Sequence, residues 1–264
     1  MIVYKTEKEI QAMRRSSRMV AQILSELAPL VAPGVTTRDL DAHAERRTRE
    51  MGAVPAFKGY RGFPAALCAS VNEEIVHGIP SARVLREGDI VSLDYGVLSE
   101  GFYGDATVTL PVGAIDPAAA GLIAAARESF LAGVAAMKEG GRVSDISAAV
   151  QKRVEADGFS VIRAFVGHGI GRSLHEEPQV PNFGLPGHGP KIRPGLVLAI
   201  EPMIAMGDWE VEILRNGWTA VTKDRSLAAH HEHTVACTAS GIEVLSAGDA
   251  AHAGNALDKE SLHA

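Results

Sequence analysis

The chain has 264 residues, 46% hydrophobic and 22% charged, with a formal net charge of −6. That length buries a sizeable core as one large domain or two small ones, and an acidic balance without any long Lys/Arg run argues against nucleic-acid binding as the main activity. Cys68 and Cys237 are the only cysteines and neither belongs to a CxxC pair, which excludes a disulfide framework or a thiolate zinc site and leads us to expect a reducing, cytoplasmic compartment.

The first residues, Met1 to Glu9, hold no apolar core of signal-peptide length, and no run of 18 apolar residues occurs; neither export nor a membrane span is expected. Thr6 followed by Glu9 has capping-box spacing, and Ile10, Met13, Met19, Ile23 and Leu27 recur near helical period. These predict a long amphipathic helix to about Pro33, ended by Pro33-Gly34, with Met13 and Met19 in the core. Thr37 is read as the cap of a second helix through about Met51, closed by Gly52. A short strand is expected over Ala66 to Val71, before a loop from Asn72 to Pro80.

The stretch from Gly88 to Asp105 reads as a β-hairpin. A turn centred on Ser99-Glu100 sets Asp94 directly opposite Asp105, with Cβ atoms roughly 4.5–5.5 Å apart. Among Val, Leu and Ile, two facing carboxylates cost free energy unless a cation sits between them or one is protonated. A three-residue turn at Gly101 would instead shift the pairing by one and send the two side chains to opposite faces.

Helices are predicted from Ala118 to about Lys138 and from Ser144 to about Ala156, closed by Gly140-Gly141 and Gly158. Arg86-Glu-Gly-Asp-Ile-Val-Ser-Leu-Asp94 aligns with Arg193-Pro-Gly-Leu-Val-Leu-Ala-Ile-Glu201. Each half thus carries a carboxylate at the end of a strand that leaves an Arg-x-Gly turn, which suggests a duplicated α+β unit converging on a shared site. The whole chain is expected to form a single domain, 1–264, with residues 247–264 as a flexible C-terminal tail.

Five further positions carry chemistry. His168 and His175 stand seven apart around the Gly-rich turn His168-Gly-Ile-Gly-Arg-Ser-Leu-His175; they suit a divalent metal, or are loop histidines satisfied by hydrogen bonds. Glu201 ends the apolar run Leu196 to Ile200, and a Glu entering from a buried strand needs a partner or a metal. Glu232 lies in His230-His-Glu-His233, a stretch that also reads as a solvated face, ahead of a strand from Thr234 to Thr238. His77 sits in a loop shaped by Gly78 and Pro80, where a histidine satisfied within the core is the competing reading.

Taken in order, His77, Asp94, Asp105, His168, His175, Glu201 and Glu232 resemble the methionine aminopeptidase family, closest to its type I short form without an N-terminal zinc-finger extension. The similarity covers about residues 3 to 246; the ungapped string from His168 to Val180 is its most specific part, and Gly217-Trp-Thr and Thr222-Lys-Asp-Arg-Ser-Leu227 add to it. The resemblance implies the pita-bread fold, a curved antiparallel sheet flanked by helices in two pseudo-twofold-related halves.

It further implies two divalent ions, bridged by Asp105 and Glu232, with Asp94 completing one site and His168 and Glu201 the other; one imidazole and four carboxylates suit Mn²⁺, Fe²⁺, Co²⁺ or Zn²⁺. By the same resemblance Glu201 accepts a proton, His175 polarises the substrate carbonyl, His77 contacts the scissile amide, and Tyr60, Phe63, Cys68, Phe165, Leu174 and Trp218 line a methionine pocket. Phe63, Leu174 and Tyr103-Gly-Asp-Ala106 depart from the usual pattern, touching the pocket shape but none of the implied ligands.

The implied activity is metal-dependent removal of N-terminal methionine from peptides and nascent polypeptides, before a small second residue, in a ribosomal setting. No nucleic-acid or membrane partner is expected, and a monomer is the default. The alternatives are a prolidase or X-Pro aminopeptidase on the same fold, which carries an extra N-terminal domain this chain has no room for, and a non-catalytic binding module, which loses the ligands retained here.

Overall fold

A computed structural model describes residues 1–248; the expected C-terminal tail lies almost wholly outside the described residues. The capping box forms: Thr6 Oγ1 accepts from the Glu9 N–H at 3.3 Å and the Glu9 carboxylate accepts from the Thr6 N–H at 2.9 Å, starting helix α1 (Glu7–Leu27). It ends earlier than the expected Pro33. Pro29, which has no N–H to donate, lies in a single 3-10 turn from Ala28 to Leu30. Helix α2 (Thr37–Glu50) is capped by Thr36, not by Thr37. The extended Thr36 accepts from the Asp39 N–H at 3.2 Å, so Thr37 becomes the first helical residue.

Three short strands follow, β1 (Val54–Pro55), β2 (Leu67–Val71) and β3 (Glu74–Val76). Asp41 of α2 anchors the second, accepting from the N–H groups of Ala66 and Leu67 at 2.9 Å each. The hairpin β4 (Ile90–Ser99) and β5 (Phe102–Pro111) comes next. Its turn is Glu100-Gly101, with φ of 51° and 77°, the left-handed pair that matches strand twist in a two-residue loop. Ser99 therefore pairs with Phe102, Asp94 with Thr107 and Gly96 with Asp105. This corrects the expected register by two residues. An even shift leaves Asp94 and Asp105 on the same face but as diagonal neighbours, not direct ones.

The second half repeats the order of the first. Helix α3 (Pro117–Ala136), capped by Asp116, and α4 (Val143–Ala156) lead to β6 (Ser160–Val161), β7 (Gly167–Gly169), β8 (Glu176–Val180) and β9 (Val197–Ile200). Then come β10 (Met203–Ala205), β11 (Val211–Ile213), β12 (Ala220–Thr222), β13 (Ala228–His230), β14 (Glu232–Thr238) and β15 (Gly241–Val244). The main sheet runs β1-β4-β5-β14-β9-β7-β8, with β2 also on β4 and β15 on β14. Each half opens with a helix pair and brings two strands to the middle of the sheet, β4 and β5 from the first and β9 and β14 from the second, so the pseudo-twofold passes between β5 and β14. The Arg86 and Arg193 segments noted in the sequence are the equivalent approaches to β4 and β9.

Each helix pair covers its own half-sheet. Val20, Ile23, Leu27 and Leu40 pack on Leu67, Val91 and Leu93, while Leu122, Phe130, Ile146 and Val150 pack on Leu198, Ile200 and Val235. Helix α3 has the length and mean hydropathy, 1.3, of a membrane-spanning segment, and its Leu122, Ala126 and Phe130 are buried in this second core.

Gly104 fixes how closely α1 approaches the hairpin. A Cβ there would stand 2.6 Å from the Ser17 nitrogen and 2.7 Å from its Cα, both backbone atoms. Gly104→Ala is expected to lower stability by about 1–3 kcal/mol, read as a shift of the denaturation midpoint at constant m-value; an unshifted midpoint would show that α1 yields without cost.

Candidate metal centre and substrate pocket

The strand register assembles a row of side chains on one face of the sheet. Cys68 pairs with Asp94, Asp94 with Thr107, and Thr107 with Glu232; the β14–β9 ladder, His233 with Ile200, carried one residue further brings Glu201 beside Glu232. Asp105, two residues before Thr107, faces the same way. His168 enters from β7, paired with Ala199. The glycines beside it have a steric reason: a Cβ on Gly167 would stand 2.4 Å from the Ala199 carbonyl oxygen, and one on Gly169 would stand 2.2 Å from that of Glu177.

This row floors a cavity of about 190 Å³. Every site residue expected from the sequence lines it: Asp94, Asp105, His168, Glu201 and Glu232 on the acidic side, His77 and His175 above them, and Tyr60, Phe63, Cys68, Phe165, Leu174 and Trp218 around the apolar end. Tyr60 stacks on His175, ring centroids 5.3 Å apart, and its hydroxyl meets His175 Nδ1 at 2.8 Å. Trp218 stands edge-on to both Phe63 and His77, and Phe165 edge-on to His77. His77 holds a left-handed backbone, φ 59°, a conformation costing a non-glycine residue roughly 1–2 kcal/mol.

The cavity also takes in His230, Met203, Arg61, Phe57, Val76 and Val166, which sequence reasoning passed over. A signal existed for two of them: His230 is two residues before Glu232 and Met203 two after Glu201, the period of one strand face. Starting the last strand at Thr234 hid the first of these.

Electrostatics at the floor favour a cation. Burial pushes the Asp94 carboxyl up to about 7. Burial, then the charge of Glu232 and Asp94, drives Asp105 and Glu201 well above the carboxylate range, and burial with the charge of Asp94 does the same to Glu232. One carboxylate oxygen of Asp94, of Asp105 and of Glu201 is buried without a hydrogen-bond partner. Thr107 donates to Glu232 at 2.7 Å.

His168 sharpens the point. Its Nδ1 lies 2.9 Å from the Gly169 carbonyl oxygen, which can only accept; in a ring held neutral by burial, which lowers its pKa to about 4, the proton is on Nδ1. Nε2 then presents a lone pair to Glu201 Oε1 at 3.3 Å. Two lone pairs at that distance need a proton or a cation between them. Donor atoms of Asp105, His168 and Glu232 also lie within 4.8 Å of one another. The oxygen-rich donor set with one oriented imidazole fits a divalent metal.

Comparison with known proteins agrees with this geometry. The model of metallopeptidase family M24 matches residues 11–239. The chain is 50% identical over 246 residues to a methionine aminopeptidase of Clostridium acetobutylicum, covering 93% of this chain and 98% of that one. It belongs to the M24 metallopeptidases, in their methionine aminopeptidase branch. Membership makes it a hydrolase. The crystal structure of methionine aminopeptidase from Thermotoga maritima superposes with a TM-score of 0.92 at 46% identity, over 93% of this chain and 99% of that one. Prolidase from Pyrococcus horikoshii shares the fold alone, with a TM-score of 0.76 at 20% identity over 94% of this chain and 65% of that one. The architecture is thus the pita-bread fold.

Asp94, raised from its ordinary 3.8 to about 7, stabilises the metal-free fold at low pH and loses that contribution as pH climbs to 7; the other raised acids act in the same sense. Six histidines act oppositely, withdrawing stability as pH falls below their unfolded value of 6.5: burial lowers His168, His175, His230 and His233 to about 4, 3, 3 and 4 and lowers His77 and His231 as well, so below that pH they outweigh the four acids. Metal-free protein is therefore expected to melt highest near pH 6.5 and to lose stability toward pH 8. Bound metal keeps the acids ionised and should remove that alkaline loss. Melting curves from pH 5 to 8.5 with and without Mn²⁺ check this; an alkaline loss undiminished by metal would contradict it.

Proposed function

We propose that this protein is a methionyl aminopeptidase that removes N-terminal methionine from peptides and nascent polypeptides, preferring a small second residue. The observation that carries the reading is the confrontation of His168 Nε2 with Glu201 Oε1 among carboxylate oxygens that have no proton donor, on the floor of a cavity whose other end is aromatic and apolar. Asp94, Asp105, His168, Glu201 and Glu232 would hold two divalent ions, Mn²⁺, Fe²⁺, Co²⁺ or Zn²⁺, with Asp105 and Glu232 shared between them. When bound, such a pair acidifies water toward neutral pH and stabilises the oxyanion of a tetrahedral intermediate.

The chain's own groups supply the rest. Phe63, Phe165, Trp218, Leu174, Tyr60 and Cys68 enclose an unbranched, polarizable side chain, which sulfur–aromatic contact favours. Burial and the Asp94 charge hold the Cys68 thiol well above its usual pKa, so it packs as a neutral wall. With the Tyr60 hydroxyl donating to Nδ1, His175 carries its proton on Nε2 and donates it as a hydrogen bond to the carbonyl oxygen of the scissile bond. His77, whose pKa burial lowers, is neutral and meets the scissile amide nitrogen. Glu201 takes the proton of the attacking water. The carboxylate floor orients the free α-amino group, which restricts the reaction to the first residue.

The same reading takes the chain as one metallopeptidase domain acting as a monomer. Two buried cysteines, both free, suit the cytoplasm.

Metal-stripped protein given Mn²⁺, Fe²⁺ or Co²⁺ is expected to release methionine from Met-Ala-Ser and to leave Lys-Ala-Ser and Ala-Pro peptides intact. Cleavage of Ala-Pro alone would move the protein to the proline-directed enzymes, and bound metal without cleavage would make it a binding module. Asp105→Asn should remove metal and lower turnover by at least about 100-fold, beyond the 10–100-fold typical of groups that only support a ligand, while leaving the circular dichroism spectrum unchanged. Full turnover by that variant would refute the shared-ligand role.

A further inference from the structure

His230 lines the cavity and is 2% exposed, and neither of its ring nitrogens has a hydrogen-bond partner among the described residues. A neutral imidazole carries one N–H, and burying that donor unpaired costs free energy, so the position calls for an explanation. The backbone holds the ring where it is. The His230 N–H donates to Thr109 Oγ1 at 2.9 Å, and the same hydroxyl donates to the His230 carbonyl oxygen at 2.8 Å. Strand pairing sets Met203 opposite His230. Glu201, two residues before Met203, is then the diagonal neighbour on the same face, within reach of long side chains.

The two imidazoles beside Glu201 bracket it unequally. His168 Nε2 stands 3.3 Å from Oε1, and His230 Nε2 stands 3.9 Å from Oε2. His168 has committed its proton to the Gly169 carbonyl and offers Glu201 a lone pair. His230 has made no such commitment, so its N–H is free to face Oε2. A shortening of about 1 Å brings this pair to hydrogen-bond length.

We propose that His230 is a positioning residue for Glu201, donating from Nε2 to Oε2 and so holding Oε1 toward His168 and the metal-binding side. A carboxylate oxygen accepts more than one hydrogen bond, so Oε2 keeps a lone pair for the proton of the attacking water. The fixed orientation spares Glu201 a rotation at the moment of proton transfer. This inference rests on the reading of Glu201 as the proton acceptor.

The test compares His230→Gln with His230→Met, side chains of nearly equal size that differ in having an N–H donor. Metal stoichiometry, melting temperature, kcat and KM for Met-Ala-Ser are measured on both. Both variants are expected to bind wild-type amounts of metal and to melt together. The Met variant should lose about 10- to 100-fold in kcat with KM within about 3-fold, and the Gln variant should recover most of that loss. Equal kcat in the two variants would overturn the proposal. So would loss of metal by the Met variant alone, since His230 would then be a ligand. If either variant fails to fold, His230→Asn against His230→Leu makes the same comparison. Failure of the proposed function shows separately, as metal-loaded wild-type protein that releases no methionine, and would overturn both.

Discussion

Four carboxylates held together out of water are the constraint around which this molecule is built. Asp94, Asp105 and Glu232 stand on three strands and Glu201 just past the end of a fourth; burial pushes each toward its protonated form, and neighbouring carboxylate charge adds to this at Asp105, Glu201 and Glu232. A cluster of this kind raises the energy of the folded chain by itself. It persists because the hairpin, the β5–β14 pairing and the β14–β9 ladder each fix the backbone beneath a carboxylate, leaving no acid free to swing into solvent. The same confinement that costs stability in the metal-free state gives a divalent cation a prearranged set of oxygen donors and one oriented imidazole.

The supporting residues divide this work between them. Thr107 sits between Asp94 and Glu232 in the strand row and gives its hydroxyl proton to Glu232. Thr109, one step along the same face, ties the backbone of β13 to β5 through two hydrogen bonds of its hydroxyl, which also meets the Ser92 hydroxyl. Thr234 bonds the Asp105 backbone in both directions. Three threonines thus stitch the two halves together at the sheet's centre, where the pseudo-twofold passes. Apolar residues there would leave the halves joined only by strand ladders. The glycines at 104, 167 and 169 serve a steric purpose away from that junction, letting α1 approach the hairpin and the strands beside β7 come close enough to place His168 among the carboxylates.

The apolar end of the cavity obeys different physics. Rings from three separate segments, Tyr60 and Phe63, Phe165, and Trp218, stand at edge or stacked contact with one another or with His77 and His175, so each histidine is oriented by an aromatic neighbour. A pocket of this composition suits an unbranched, polarizable side chain, and it opens onto the carboxylate floor within the same cavity.

Local signals in the sequence determined much of this. The capping box at Thr6, the helix pairs, the hairpin and the ordered set of acids and histidines depend on neighbours within a few residues or on a motif read in one piece. Parity along the hairpin put Asp94 and Asp105 on one face; the true register differed by two because the left-handed pair Glu100-Gly101 made the turn. Tertiary structure decided what distant partners impose. The bond from Thr107 to Glu232 spans 125 residues, and no periodicity encodes that β5 and β14 lie side by side. Spacing of two from Glu232 offered His230 as a residue of the same face, but its place beside Glu201 became visible only when its strand was laid against Met203. A sequence states which groups are available for chemistry; pairing across the sheet decides which of them lose water together, and that loss gives them their function.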